Sequence, residues 1–201
     1  MRSSLRPDPA APTRRTLLGA GLGLAALPGW ATQDGDAQTL LRKGGVVVAF
    51  RHALAPGTFD PPGFRLGDCS TQRNLSDEGR AQARRMGEWF RTHQLQPATV
   101  LSSPWCRCID SATLAFSPPE VWPALGSPHG APETTGARHL QELQQALTAA
   151  AHRPGRFEAW FTHMFVLSDL AQNSVSSGEG LILAPGRGGT AQVLARLAVP
   201  A

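Results

Sequence analysis

Short apolar runs alternate with longer stretches in which apolar residues recur every three or four positions. Val46-Val47-Val48-Ala49-Phe50 is a continuous, β-branched run between Gly44-Gly45 and Arg51, the pattern of a strand buried on both faces of a parallel sheet. Ala98 to Leu101, Val121 to Leu125 and Phe157 to Phe161 read as further strands. Between them lie helical patterns. Ser76 precedes Asp77-Glu78, so a capping hydroxyl and two acids begin a helix to about Thr92, with Ala83, Met86, Gly87 and Phe90 at core-facing spacing. Ser103-Pro104 predicts a second start, serine as cap and proline at the first helical position. Ala137 to Ala151 places Leu140, Leu143 and Leu147 on one face, and a helix of about eight residues follows His163. Leu181 to Ala184 and Gln192 to Leu197 fit a closing β-hairpin around Pro185-Gly186-Arg187-Gly188-Gly189. Strands alternating with helices predict an α/β fold, a three-layer α/β/α sandwich with a mainly parallel central sheet. Residues 54 to 74 hold Pro56, Gly57, Pro61, Pro62, Gly63 and Gly67 and form one long loop, of a length that usually carries function.

Composition sharpens this picture at the N-terminus. The chain has 201 residues, 41% hydrophobic and 17% charged, enough for one domain with a substantial core and too apolar for general disorder. Its formal charge of +4 invites a nucleic-acid reading, but Arg2, Arg6, Arg14 and Arg15 lie in the first 31 residues, opposed only by Asp8. The remainder is close to neutral and carries no basic stripe, so no nucleic-acid partner is expected. Arg14-Arg15 followed by Leu17-Leu18, a glycine-rich apolar run to Leu27 and the small residues near Ala31 predict a twin-arginine-type signal peptide over 1–31. That assignment makes the export machinery a transient partner and the mature protein periplasmic or secreted. The apolar run is too short for a stable membrane span of about 20 residues. Residues 32–39 are polar, and 32–44 read as a short linker, leaving 45–201 as the folded domain.

In open α/β sheets ligands bind beyond the carboxyl ends of strands. Three groups of residues meet that condition: Arg51-His52 after the first strand, Ser102-Ser103-Pro104-Trp105-Cys106-Arg107 after the second, and Thr162-His163 after a late one. Together they are the residue types that phosphoryl chemistry needs. Guanidinium groups match the oxygens of a dianionic phosphate, and Arg107 would also lie in the first turn of a helix, where anions are favoured. A neutral imidazole attacks phosphorus, and arginines near His52 would lower its pKa below the usual value of about 6.5. A protonated His163 would then stabilise charge on the equatorial oxygens. Arg65 and Arg73, in the long loop, could meet substrate, but solvated loop charges are the simpler account of both. His93, His129, His139 and His152 lack comparable context.

The order Arg-His, Ser-Ser-Pro-x-x-Arg and Thr-His, with Leu75-Ser76-Asp77-Glu78-Gly79-Arg80-Ala81-Gln82-Ala83 between the first two, resembles the histidine phosphatase (phosphoglycerate mutase-like) superfamily over roughly residues 45 to 197. The resemblance implies His52 as nucleophile, with Arg51, Arg107 and His163 completing a phosphate pocket, and neither metal nor cofactor. Asp68-Cys69 and Ser177-Gly178-Glu179 resemble an exported subgroup similar to the lipopolysaccharide core heptose phosphate phosphatase, which implies a phosphorylated small molecule or envelope glycan as substrate. There are departures. Ala53 stands where the family usually has glycine, Met164 follows His163 where smaller or polar residues are commoner, and the acid after the third strand is missing. Glu133, Asp110 and Glu179 are the candidate replacements for that acid. These departures motivate an alternative, a catalytically degenerate relative that binds phosphorylated envelope glycan or protein without turnover. Of the three cysteines, Cys69 is expected to pair with Cys106 or Cys108 in an oxidising compartment, which would pin the long loop beside the phosphate site.

Overall fold

The computed structural model describes residues 31–128 and 133–199, so the expected leader lies, but for Ala31, outside the described residues. The apolar run forms β1 (Val46–Arg51), and the other strands are β2 (Thr99–Ser102), β3 (Glu120–Val121), β4 (Phe157–Thr162), β5 (Gly180–Pro185) and β6 (Ala191–Leu197). They build one six-stranded sheet in the order β3-β2-β4-β1-β5-β6. The β3-β2, β2-β4 and β4-β1 pairs are parallel, while the closing hairpin adds the antiparallel pairs β1-β5 and β5-β6.

Alternation along β1 divides the core into two layers. Val46, Val48 and Phe50 face one side, where α1 (Ala31–Lys43), α2 (Asp77–Thr92) and α3 (Cys106–Ala115) supply Leu41, Met86, Phe90 and Ala112. Val47 and Ala49 face the other, against Leu143 and Leu147 of α4 (Glu133–Ala151) and Leu167 and Leu170 of α5 (Met164–Ala171). The three-layer α/β/α sandwich with a mostly parallel sheet is therefore the observed architecture. Ser76 caps α2 by accepting from the Gly79 N–H at 3.1 Å, and Ala83, Met86, Gly87 and Phe90 are buried as their spacing predicts. No helix among the described residues is long and apolar enough to cross a membrane.

Three local expectations are corrected. Residues 32–44, read as a linker, lie almost wholly in α1, and Ala37 and Leu41 are fully buried, so the packed domain begins before residue 45. One helical turn separates these two residues, enough to seat a mostly polar helix beside β6. The third strand stops at Val121 because Pro123 has no N–H for the ladder and opens a 3-10 turn, Pro123–Leu125. Ser103-Pro104 does not cap α3, which begins at Cys106 after a Trp105 cap that makes no side-chain hydrogen bond. The Ser103 hydroxyl is committed elsewhere, to His163.

Candidate active site

Sheet register sets the first two groups. β1 and β4 pair Arg51 with Thr162, so the next residue of each strand, His52 and His163, emerge side by side from the same edge, ring centroids 5.6 Å apart. Backbone bonds extend the ladder one step: the His52 N–H donates to the Thr162 carbonyl at 3.0 Å and the Ser103 N–H to the Phe161 carbonyl at 2.9 Å. Ser103 thus arrives beside His163, and its Oγ lies 2.8 Å from His163 Nε2. His163 Nδ1 lies 3.5 Å from Arg107 Nη2, which can only donate. Nδ1 is therefore the acceptor, and Nε2 carries the proton toward Ser103. The logic is reversed at His52. Its Nδ1 sits 2.8 Å from the Ala53 carbonyl, so Nδ1 carries the proton and Nε2 keeps a bare lone pair.

Ala53 does not disturb this arrangement. Its backbone is absent from the positive-φ residues, its N–H donates to Ser111 Oγ at 2.9 Å, and its side chain is fully buried. The loop it opens is pressed onto α2, where a Cβ on Gly79 would lie 2.0 Å from the Leu54 carbonyl oxygen. Gln82 completes the tie, accepting from the Leu54 N–H at 3.0 Å and donating to the Ser177 carbonyl at 2.8 Å.

A cavity of about 310 Å³ lies over these strand ends, lined by Arg51, His52, Arg107 and His163, so the four residues singled out from the sequence share one site. Two further lining residues, Asp60 and Arg73, come from the long loop. Asp60 was not singled out, and Arg73 is corrected from a solvated charge to a half-buried one. Asp60 Oδ1 accepts from Arg107 Nη1 at 2.8 Å and from the Arg73 N–H at 2.9 Å, and Oδ2 accepts from Trp105 Nε1 at 3.1 Å. Arg65 is exposed and pairs with Asp68, as a solvated loop charge does. Position alone marks neither Asp60 nor Arg73, although Arg73 stands just before the cap of α2, where the chain returns to the sheet edge.

The three arginines share one habit. Each is anchored through Nη1: Arg51 to the Val175 carbonyl at 3.0 Å, Arg73 to the Ala55 carbonyl and Arg107 to Asp60. The Nε of each is buried without a hydrogen-bond partner among the described residues. Buried unsatisfied donors are costly and rare. Three around one cavity mean that the site has more donors than the chain supplies acceptors. With one carboxylate against three guanidiniums, the cavity carries a net charge of +2 when both histidines are neutral.

Neutral is their state. Burial lowers the pKa of His52 to about 3, with Arg107, Arg73 and Arg51 acting in the same direction and the Ala53 hydrogen bond opposing them. Burial and then Arg107 hold His163 well below the ordinary histidine range, so the expectation of a protonated His163 is corrected: a fourth cation does not persist beside three guanidiniums. Burial tends to raise the pKa of Asp60, but hydrogen bonds from Arg73 and Arg107 prevail and lower it, keeping it a carboxylate.

The acids named from the sequence do not complete the site. Asp110 pairs with Arg80 at 3.3 Å on the surface, and Glu179 pairs with Arg196 at 2.7 Å, both outside the lining. Glu133 begins α4, and its side chain lies outside the described residues. Cys69 and Cys106 form a disulfide, while Cys108 is buried and its thiol is pushed up to about 12 by burial. The bridge is one of several ties from the long loop to the start of α3: Gln72 Oε1 accepts from the Cys106 N–H at 2.9 Å, and Asp60 holds Trp105 and Arg107.

Comparison with known proteins agrees with this geometry. The model of the histidine phosphatase superfamily (branch 1) matches residues 66–162, a span that includes Ser103 and Arg107. No curated protein matches the chain. Among solved structures, the protein TTHB049 from Thermus thermophilus superimposes with a TM-score of 0.54 at 18% identity, covering 76% of this chain and 99% of that one. A phosphoserine phosphatase mutant from Entamoeba histolytica, in complex with phosphoserine, gives a TM-score of 0.54 at 9% identity over 77% of this chain and 97% of its own. The protein histidine phosphatase SixA, complexed with tungstate, gives 0.50 at 17% identity over 76% and 96%. Sheet order, the residues at the strand ends and the matched model point the same way: over residues 66–162 the chain is similar to the histidine phosphatase superfamily, and its fold is the one these solved structures share.

Proposed function

We propose that this protein is a phosphomonoesterase that works through a phosphohistidine on His52. The observation that carries the reading is the tautomer. His52 donates Nδ1–H to its own neighbour's carbonyl and is held neutral, so Nε2 is a free nucleophile inside a cavity of net charge +2. A phosphomonoester dianion neutralises that charge. Arg51, Arg107 and Arg73 hold the phosphoryl oxygens, and His52 Nε2 attacks phosphorus in line with the ester oxygen. His163 arrives neutral and gains proton affinity as negative charge enters, so it stabilises the equatorial oxygens in the transition state rather than the empty site. The ester bond breaks as the N–P bond forms, the leaving oxygen takes a proton from water, and a water molecule then cleaves the phosphohistidine. Asp60 acts by setting Arg107. Neighbours solved with phosphoserine and tungstate, both phosphoryl-like oxyanions, are in keeping with this reading.

His52→Ala is expected to abolish hydrolysis of p-nitrophenyl phosphate, and rapid quench of the wild type is expected to trap an acid-labile, alkali-stable phosphoenzyme. Turnover by His52→Ala at the wild-type rate would overturn the proposal. Binding of phosphate esters with no turnover would instead favour the non-catalytic reading, for which Met164, its sulfur 3.9 Å from Arg51 Nη1, is the motivating departure.

We further propose that the protein acts after export, on a phosphorylated small molecule or envelope glycan. The twin-arginine pattern of the leader supports this, as does the Cys69–Cys106 disulfide, since such bridges persist in oxidising compartments. Fractionation of the source cells with mass spectrometry of the N-terminus is the test, and an intact Met1 on cytosolic protein with three free thiols would reject it.

A further inference from the structure

Resting on the phosphatase reading, we infer that the leaving group is an alcohol carrying an uncharged ring, seated against the aromatic mouth of the cavity. A ladder of rings leads outward from the nucleophile. His52 lies 5.6 Å from His163, His163 is edge-on to Trp105 at 5.0 Å, and Trp105 stacks on Phe64 at 5.5 Å with 12° between the planes. Trp105 is fixed at both ends. Its Nε1 donates to Asp60, and a Cβ on residue 126 would lie 2.8 Å from its ring, so Gly126 leaves room for it. Phe59 and Phe165 line the same cavity while remaining 60% and 38% exposed, although only five large hydrophobic side chains are exposed among the described residues. Aromatic walls with a few fixed polar groups are the usual form of a small-molecule site.

Charge excludes the main alternative. The guanidiniums exceed Asp60 by two charges, and a phosphoryl dianion consumes both. The lining offers no further cation to a second acidic group on the substrate, and Asp60 would repel one. The cavity, at about 310 Å³, has room for a ring beside the phosphoryl group. Edge and stacking contacts plus area burial favour a ring over an acyclic chain by roughly tenfold in affinity.

Non-hydrolysable phosphonates read this out without turnover. Calorimetry on the disulfide-intact wild type compares benzylphosphonate, the phosphonate isostere of glucose 6-phosphate, butylphosphonate and 3-phosphonopropionate. The two ring ligands are expected to bind about tenfold tighter than butylphosphonate, and the carboxylate ligand weakest of the four. The aromatic and sugar arms show which kind of ring is preferred. In the Phe59→Ala/Phe165→Ala double variant the advantage of the rings over butylphosphonate should fall below about threefold. Equal binding of ring and acyclic ligands, an advantage that survives in the double variant, or tightest binding by 3-phosphonopropionate would each overturn this inference alone. Failure of all four to bind, with no hydrolysis of p-nitrophenyl phosphate, would overturn the phosphatase reading and this inference with it.

Discussion

Acidification from pH 7.0 to pH 5.0 sets the folded state against the proton affinity of its own histidines. The pKa of His52 is about 3 in the fold, where burial comes first and the arginines second, against about 6.5 in an open chain. The unfolded chain therefore takes the proton first. Stability is complete above pH 6.5 and falls as the pH drops toward the folded value, with a limiting slope of about 1.4 kcal/mol per pH unit for each such histidine. Integrated from pH 7.0 to 5.0, His52 accounts for about 2 kcal/mol, and His163, also held well below the ordinary range, adds a loss of the same sign. Asp60 is depressed too, so its contribution is present above the ordinary carboxylate value and disappears only at lower pH, outside this window. A domain with about 5–15 kcal/mol of total stability would register such a loss clearly. Urea unfolding at the two pH values measures it. The wild type should lose at least about 2 kcal/mol, and His52→Gln should lose about 2 kcal/mol less than the wild type over the same interval, whatever its absolute stability. A wild-type stability that is flat across the interval, or a loss that is identical in His52→Gln, would refute the claim that His52 is buried neutral.

Three other perturbations separate the roles of the loop residues. Asp60→Asn should lower kcat/KM by the same factor for p-nitrophenyl phosphate and for an alkyl phosphate, because Asp60 acts through Arg107; a loss confined to the alkyl ester would make it a proton donor instead. Arg73→Ala removes one charge-assisted contact, worth about 1.5–3 kcal/mol, and should raise KM for p-nitrophenyl phosphate by roughly 10- to 100-fold with the circular dichroism spectrum unchanged. Cys69→Ser opens a loop of 37 residues, for which chain entropy gives about 4 kcal/mol of lost stability, and denaturant titration should show that loss together with a higher KM.

What could be read from the sequence was whatever local pattern decides. β1 is legible because a central parallel strand needs no polar face, and α2 because its cap, acids and apolar spacing agree. The positions of His52, Arg107 and His163 followed from one rule, that ligands gather beyond strand ends. The failures are all matters of distant partners. α1 reads as a linker because the surface that Ala37 and Leu41 cover is assembled from distant elements, the late strand β6 among them. Ser103 reads as a helix cap because its true partner, His163, is 60 residues away. Asp60 and Arg73 read as loop charges because what draws them inward is the folded loop itself, tied down by the disulfide, Gln72 and Arg107.

That division carries over to the chemistry. The two histidines are placed by sheet register and by hydrogen bonds to their immediate neighbours, so their separation and tautomers depend on backbone that cannot shift without breaking the ladder. Asp60, Phe59, Phe64 and Arg73 are placed by one long loop whose attachments are few and nameable. The geometry of the proposed nucleophile thus belongs to the rigid scaffold, and charge balance and the shape of the mouth belong to the loop, the arrangement in which a site keeps its reaction while its substrate changes. It follows that changes within residues 54–74 should move KM and ligand preference far more than they move the rate at which a bound phosphoryl group reaches His52. Asp60 is the informative exception, because its carboxylate is the loop's charged link, through Arg107, to the two histidines.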